Sequence, residues 1–146
     1  KSQRALVKWD LKSIPPGKQV TGVTLTFNVT NRTFQSYEIY GMRREWSEAS
    51  ATWNHTRKGE TWQIAGAQGP EDRSHTVLGS LGPAGVGVRT VTLNAYGVAQ
   101  VQAWINDPGK NHGFIILNAE SFDGLSLSSS ETSKLGKRPR ITVTYR

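Results

Sequence analysis

Cysteine is absent from the 146-residue chain, which removes disulfides, thiolate metal sites, cysteine nucleophiles and redox motifs together. Histidine is nearly as scarce: His55, His75 and His112 are scattered, with no H-E-x-x-H or other zinc spacing around them. No G-x-S-x-G elbow, P-loop or dinucleotide fingerprint is present, so the sequence offers no familiar catalytic constellation. No apolar run approaches the roughly 18–20 residues that cross a bilayer as a helix. The first four residues lack the apolar stretch of a signal peptide, although removal of a leader would leave export open. A D-x-D-x-D-G loop is missing too, and Asp72, Asp107 and Asp123 stand alone near turns. A structural Ca²⁺ held largely by backbone carbonyls stays open, with no ligands assigned. Internal repeats, low-complexity tracts and linkers are also lacking.

What is present is strand pattern. With 36% hydrophobic and 20% charged residues the composition suits one domain with a single core over residues 1–146. Residues 23–29 alternate Val, Leu, Phe and Val with polar partners, and residues 140–145 place Ile141, Val143 and Tyr145 on one face and threonines on the other. Further strands are expected over residues 5–10, 37–43, 86–93, 113–119 and 124–128, bounded by turn signals such as Pro15-Pro16-Gly17 and Asp123-Gly124. Many short strands predict an all-β sandwich of antiparallel strands. One helix is expected from residue 95 to 105, where Val98, Val101 and Ile105 share a face, Asn94 is a cap and Asn106-Asp107-Pro108-Gly109 is a stop. Residues 56–85 read as a long loop with one short strand at 76–78, and loops of that length often serve function.

The charge balance is the strongest functional signal. Eighteen Lys and Arg against 11 Asp and Glu give +7, which favours a polyanionic partner without saying which. Residues 134–146 hold Lys134, Lys137, Arg138, Arg140 and Arg146 with no acid, and residues 1–18 hold Lys1, Arg4, Lys8, Lys12 and Lys18 against Asp10 alone. Adjacent first and last strands would merge these charges into one patch. Lys8 shares a strand face with Leu6, opposite Val7 and Trp9. Arg43, Arg44, Arg57, Lys58 and Arg73 add charge beside the long loop. Five tryptophans are many for this length. Trp9 and Trp104 fit a core, Trp46 and Trp53 flank a turn, and Trp62 either stacks on a sugar or base or pins the loop. Glu45 and Glu48 could be imagined as an acid/base pair, but Ser47 and Glu48 bonding local backbone N–H groups is the simpler reading.

Several segments together resemble the DNRLRE-domain family, which includes the family-96 carbohydrate-binding modules. They are residues 5–11 (ALVKWDL) with Ser13-Ile14-Pro15, Glu45-Trp46-Ser47-Glu48 with Thr52-Trp53-Asn54, residues 101–105 (VQAWI) leading to Asn111-His112-Gly113-Phe114, and Ser129-Ser130-Glu131 with residues 138–145 (RPRITVTY). They occur in the family's order. The resemblance implies a jelly-roll β-sandwich, secreted or at the cell surface and attached to a polysaccharide-degrading enzyme, that binds alginate or a similar acidic polysaccharide without catalysis. No cofactor is implied, and membrane insertion is not expected. Relatives begin with one or two strands ahead of residue 5, which this chain lacks, and Gly41 stands where a basic residue is expected.

The expected site is a basic sheet face including Lys8 and Arg138. Arg57, Trp62 and Arg73 extend it from the loop, and Arg43 or Arg44 contributes from a central strand, since guanidinium forks and an aromatic plane suit carboxylates and sugar rings. A structural or adhesive surface module without a saccharide site is the alternative. Nucleic acid ranks third, on charge alone.

Overall fold

The fold is that of a computed structural model, which describes residues 4–118, 126–128 and 133–146. Lys1, Ala119, the Asp123-Gly124 turn and Ser129-Ser130-Glu131 lie outside the described residues. In chain order the elements are β1 (Ala5–Val7), β2 (Val20–Asn31), β3 (Tyr37–Gly41), β4 (His55–Arg57), β5 (Glu60–Thr61), β6 (Gly79–Leu81), β7 (Gly87–Thr92), α1 (Ala95–Asn106), β8 (Phe114–Leu117), β9 (Ser126–Leu127) and β10 (Arg140–Tyr145). Strands β1-β8-β3-β6 make one antiparallel sheet. A second is ordered β10-β2-β7, with β9 also pairing β2, and β4 and β5 form a separate hairpin.

Alternation puts the core between the sheets. In β2 the side chains of Val23, Leu25, Phe27 and Val29 are buried, and β10 turns Ile141 and Val143 the same way while Thr142 and Thr144 face solvent. The first sheet contributes Tyr37, Ile39, Phe114 and Ile116 to the same cluster. Helix α1 closes it with Val101, Trp104 and Ile105, the Trp104 ring meeting Phe114 edge-on at 4.9 Å. The Asn94 side chain accepts from the Gly97 N–H at 3.0 Å, so the cap read from the sequence is formed.

The other face of the first sheet is also covered. All four residues of β8 are buried, because Ile115 and Leu117 point away from the main core into a second cluster with Leu6, Tyr40, Met42, Trp46, Trp62 and Ala67. The chain between β3 and β6 folds back as a roof over that face. It is more ordered than expected, since it contains the β4–β5 hairpin, and the strand expected at residues 76–78 lies at Gly79–Leu81. Thr76 instead closes a turn, its N–H bonded to the Ser74 hydroxyl.

Candidate functional site

The roof is built around one carboxylate. Asp72 is fully buried and accepts three backbone N–H bonds, from Gln63 at 2.9 Å, Ile64 at 3.0 Å and Gly69 at 3.0 Å. Its own N–H closes a turn onto Gly69, and its carbonyl accepts from Arg43, so residues 61–73 form one hydrogen-bonded unit tied to the end of β3. The neighbouring residue, Arg73, bridges Met42 in strand fashion. These contacts decide where the loop's charged and aromatic side chains can go.

Trp62, expected as a stacking platform or a loop pin, is the pin. It is 5% exposed in the second cluster, and its Nε1–H donates to the Thr52 carbonyl at 2.9 Å, so no ring face is left for a ligand. Arg44 is held among Asp72 (3.6 Å), Glu71 (3.8 Å) and the Thr61 carbonyl (3.1 Å). Arg57 lies between Glu45 and Glu60, both at 3.5 Å. Arg43 is exposed and donates to the Pro70 carbonyl at 3.0 Å. Both Arg43 and Arg44 follow the end of β3, so neither projects from a central strand as expected. Arg73 is 6% exposed, stacked on the Tyr40 ring at 4.4 Å, and donates to the Ser74 carbonyl at 3.1 Å. Glu45 therefore pairs with Arg57, and the turn after Trp46 is closed by backbone, with the Ala51 N–H bonded to the Ser47 carbonyl at 2.8 Å.

The terminal basic segments do not merge through pairing of the first and last strands, because β1 and β10 belong to different sheets. They meet at Arg146, which exchanges two backbone bonds at 3.0 Å with Gln19 next to Lys18, and again where the Trp9 indole donates to the Pro139 carbonyl at 3.2 Å. This brings the stretch containing the exposed Arg138 toward the end of β1. A broad basic sheet face is not formed: the outer face of the first sheet is an apolar strip under the roof, and Lys8 stands at its rim.

At that rim lies an open cleft of about 430 Å³, lined by Lys8, Asp10, Lys12, Trp46, Glu48 and Asn111 over a floor that includes Trp104. Its geometry follows from a few local constraints. Gly113 has φ +80°, and a Cβ there would collide with the Val7 carbonyl and press on Lys8, so only glycine lets β8 approach β1 this closely. The Asn111 side chain joins the two segments, donating to the Trp9 carbonyl at 2.8 Å and accepting from the Gly113 N–H at 3.2 Å. Trp46 donates to the His112 carbonyl at 2.7 Å, which fixes the indole as a wall. Burial, and then the Lys8 ammonium, lower the His112 pKa from its ordinary value, with Glu45 opposing. Among the described residues neither Lys8 nor Lys12 enters an ion pair.

Sequence reasoning placed Lys8 on an exposed face but missed Lys12, Trp46 and Asn111 as its neighbours. It also left Arg4, which immediately precedes β1, outside the expected site. The described residues contain no cluster of three or more His, Asp or Glu that could hold a metal ion. Neither a family model nor a curated protein matches the chain.

Proposed function

We propose that the protein is a non-catalytic module that binds an acidic, uronate-rich polysaccharide of the alginate type, with the rim cleft as its main contact. The observation that carries this reading is the cleft itself: two lysines without ion-pair partners among the described residues, a fixed indole wall and the Asn111 amide line one open concavity. Ammonium groups at such a place form charge-assisted bonds to carboxylates, and a repeating polymer can engage more than one of them. The formal charge of +7 adds long-range attraction. On this reading the two sheets form a jelly-roll sandwich of the DNRLRE type, serving a secreted or cell-surface protein attached to a polysaccharide-degrading enzyme.

A second reading, a structural or adhesive module, draws on a different observation. Arg44 and Arg57 are consumed in holding the roof, and Trp62 is in its core, so three of the seven expected contacts serve the fold. Calorimetry at low and physiological salt against alginate, pectate and neutral glucans separates the two. Salt-sensitive binding of the acidic polymers, lost in the Lys8→Ala/Lys12→Ala double variant with unchanged melting temperature, supports the cleft. Equal retention of neutral glucans, or no acidic polymer bound, removes the polysaccharide reading.

A further inference from the structure

The rim cleft is less basic than the chain that carries it. Lys8 and Lys12 are matched along its wall by Asp10 and Glu48, so the lining is formally neutral although the whole chain carries +7. All four residues are exposed, and no salt bridge among the described residues joins either lysine to either acid. Two carboxylates beside the ammonium groups oppose the approach of a densely charged polyanion, so charge attraction alone does not account for this lining.

Asp10 is anchored by its own backbone. Its Oδ1 accepts from the Lys12 N–H at 2.8 Å, closing an Asx turn shortly after β1, and its Oδ2 makes no further bond among the described residues. The Asn111 amide, by contrast, is buried and already joins the Trp9 carbonyl to the Gly113 N–H. Hydroxyl groups of a ligand in the cleft therefore find an anchored side-chain acceptor in Asp10. An ionised carboxylate accepts and cannot donate, whereas an ammonium donates and cannot accept. Together they suit a ligand that bears an anion and O–H donors on one frame. A uronate ring has both, a single carboxylate and unsubstituted hydroxyls. Trp46, bonded to the His112 carbonyl at 2.7 Å, adds a fixed apolar wall for the C–H groups of such a ring.

We propose that Asp10 sets the specificity of the cleft. Its carboxylate accepts hydrogen bonds from free ring hydroxyls of an acidic sugar whose own carboxylate lies on Lys8 or Lys12, and it disfavours sugars in which those hydroxyls carry sulfate or acyl groups. Sulfation puts a second anion against Asp10, and acylation removes the donor and leaves the carboxylate unsatisfied. The partner is thereby narrowed from polyanions in general to glycans with one carboxylate per ring and free hydroxyls. This inference rests on the polysaccharide reading and goes beyond it in naming the residue that separates carboxylated from sulfated polymers.

Calorimetry with a short oligouronate and with its O-acetylated and O-sulfated derivatives tests this on the parent and on Asp10→Asn. Asparagine keeps a side-chain oxygen for the Lys12 N–H, so the turn and the melting temperature should be preserved. The parent should bind the oligouronate and hold both derivatives at least about tenfold more weakly. Asp10→Asn should weaken the oligouronate by about tenfold, the difference between a charge-assisted and a neutral hydrogen bond, while the sulfated derivative holds or gains affinity. A purely structural Asp10 would lower every affinity together, whereas an acceptor of ligand hydroxyls changes their ratio. If Asp10→Asn keeps the parent's ratio of affinities, Asp10 is not the determinant and the polysaccharide reading stands without it. A sulfated derivative that binds the parent as tightly as the oligouronate overturns the inference in the same way. If no acidic oligosaccharide binds the parent at low salt, the polysaccharide reading falls and this inference falls with it.

Discussion

Replacing Asp72 by alanine removes the acceptor around which the roof is folded, and the loss can be worked bond by bond. Three backbone N–H groups lose a charged partner at 2.9–3.0 Å. The Gln63 and Ile64 amides belong to exposed residues, so water can reach them after a small rearrangement and each loss comes to about 1 kcal/mol. The Gly69 amide is buried and stays orphaned, at about 1–3 kcal/mol. Arg44 is about one third exposed and returns to solvent at little penalty. The expected destabilisation is therefore about 3–5 kcal/mol. Asparagine is the informative companion. Its carbonyl can stand where Oδ2 does and keep the Ile64 and Gly69 bonds, while its NH₂ faces the Gln63 N–H as a donor against a donor, so about 1–2 kcal/mol should be lost. Urea unfolding followed by tryptophan fluorescence gives both values, and amide exchange at Gln63, Ile64 and Gly69 shows whether the roof opens ahead of the core. Two variants within about 0.5 kcal/mol of the parent would show that the roof is held by its apolar contacts and that the carboxylate network is incidental.

Gly113→Ala should lower stability by more than about 1 kcal/mol, because the new Cβ meets the Val7 carbonyl at a positive φ; thermal unfolding would register it, and an unchanged Tm would discard the close-approach argument. Trp62→Ala should destabilise by about 3–5 kcal/mol as a buried aromatic truncation, measured by the same denaturation, whereas a merely stacking tryptophan would leave stability untouched. Lys8→Ala should raise the His112 pKa toward its ordinary value near 6.5, read from the imidazole carbon-bound proton resonances during a pH titration. Since folding depresses that pKa, the unfolded chain takes up the His112 proton first, and this histidine's contribution to stability declines as the pH falls from above 6.5 through the folded value. A His112→Asn variant should flatten that part of the stability profile, and an unaltered slope would move the effect to another group.

Much of the architecture was legible because period-2 alternation is a local property. Residues 23–29 and 140–145 announce which side chains turn inward before any partner strand is known, and Asn94 with the 98-101-105 spacing announces the helix in the same way. The run Phe114–Leu117 does not alternate, which is consistent with a strand buried on both faces but says nothing about what covers the second face.

That cover was decided by tertiary contacts, and so was the candidate site. Trp62 and Arg73 sit in a charged, glycine-containing stretch whose composition resembles a solvent-exposed loop. Burial follows only once Asp72 has gathered three distant amides and laid the segment on Tyr40 and Ile115. The cleft joins Lys8, Trp46 and Asn111 across separations that no local pattern encodes. The sequence by itself determined the strand faces, the helix and the excess of positive charge, because each depends on neighbours a few residues away or on simple counting. Which of those charges are spent on the fold was settled only by the packing that delivers Asp72 to Arg44 and Glu45 to Arg57, lays Arg73 on Tyr40, and brings no carboxylate within ion-pair distance, among the described residues, of Lys8 or Lys12.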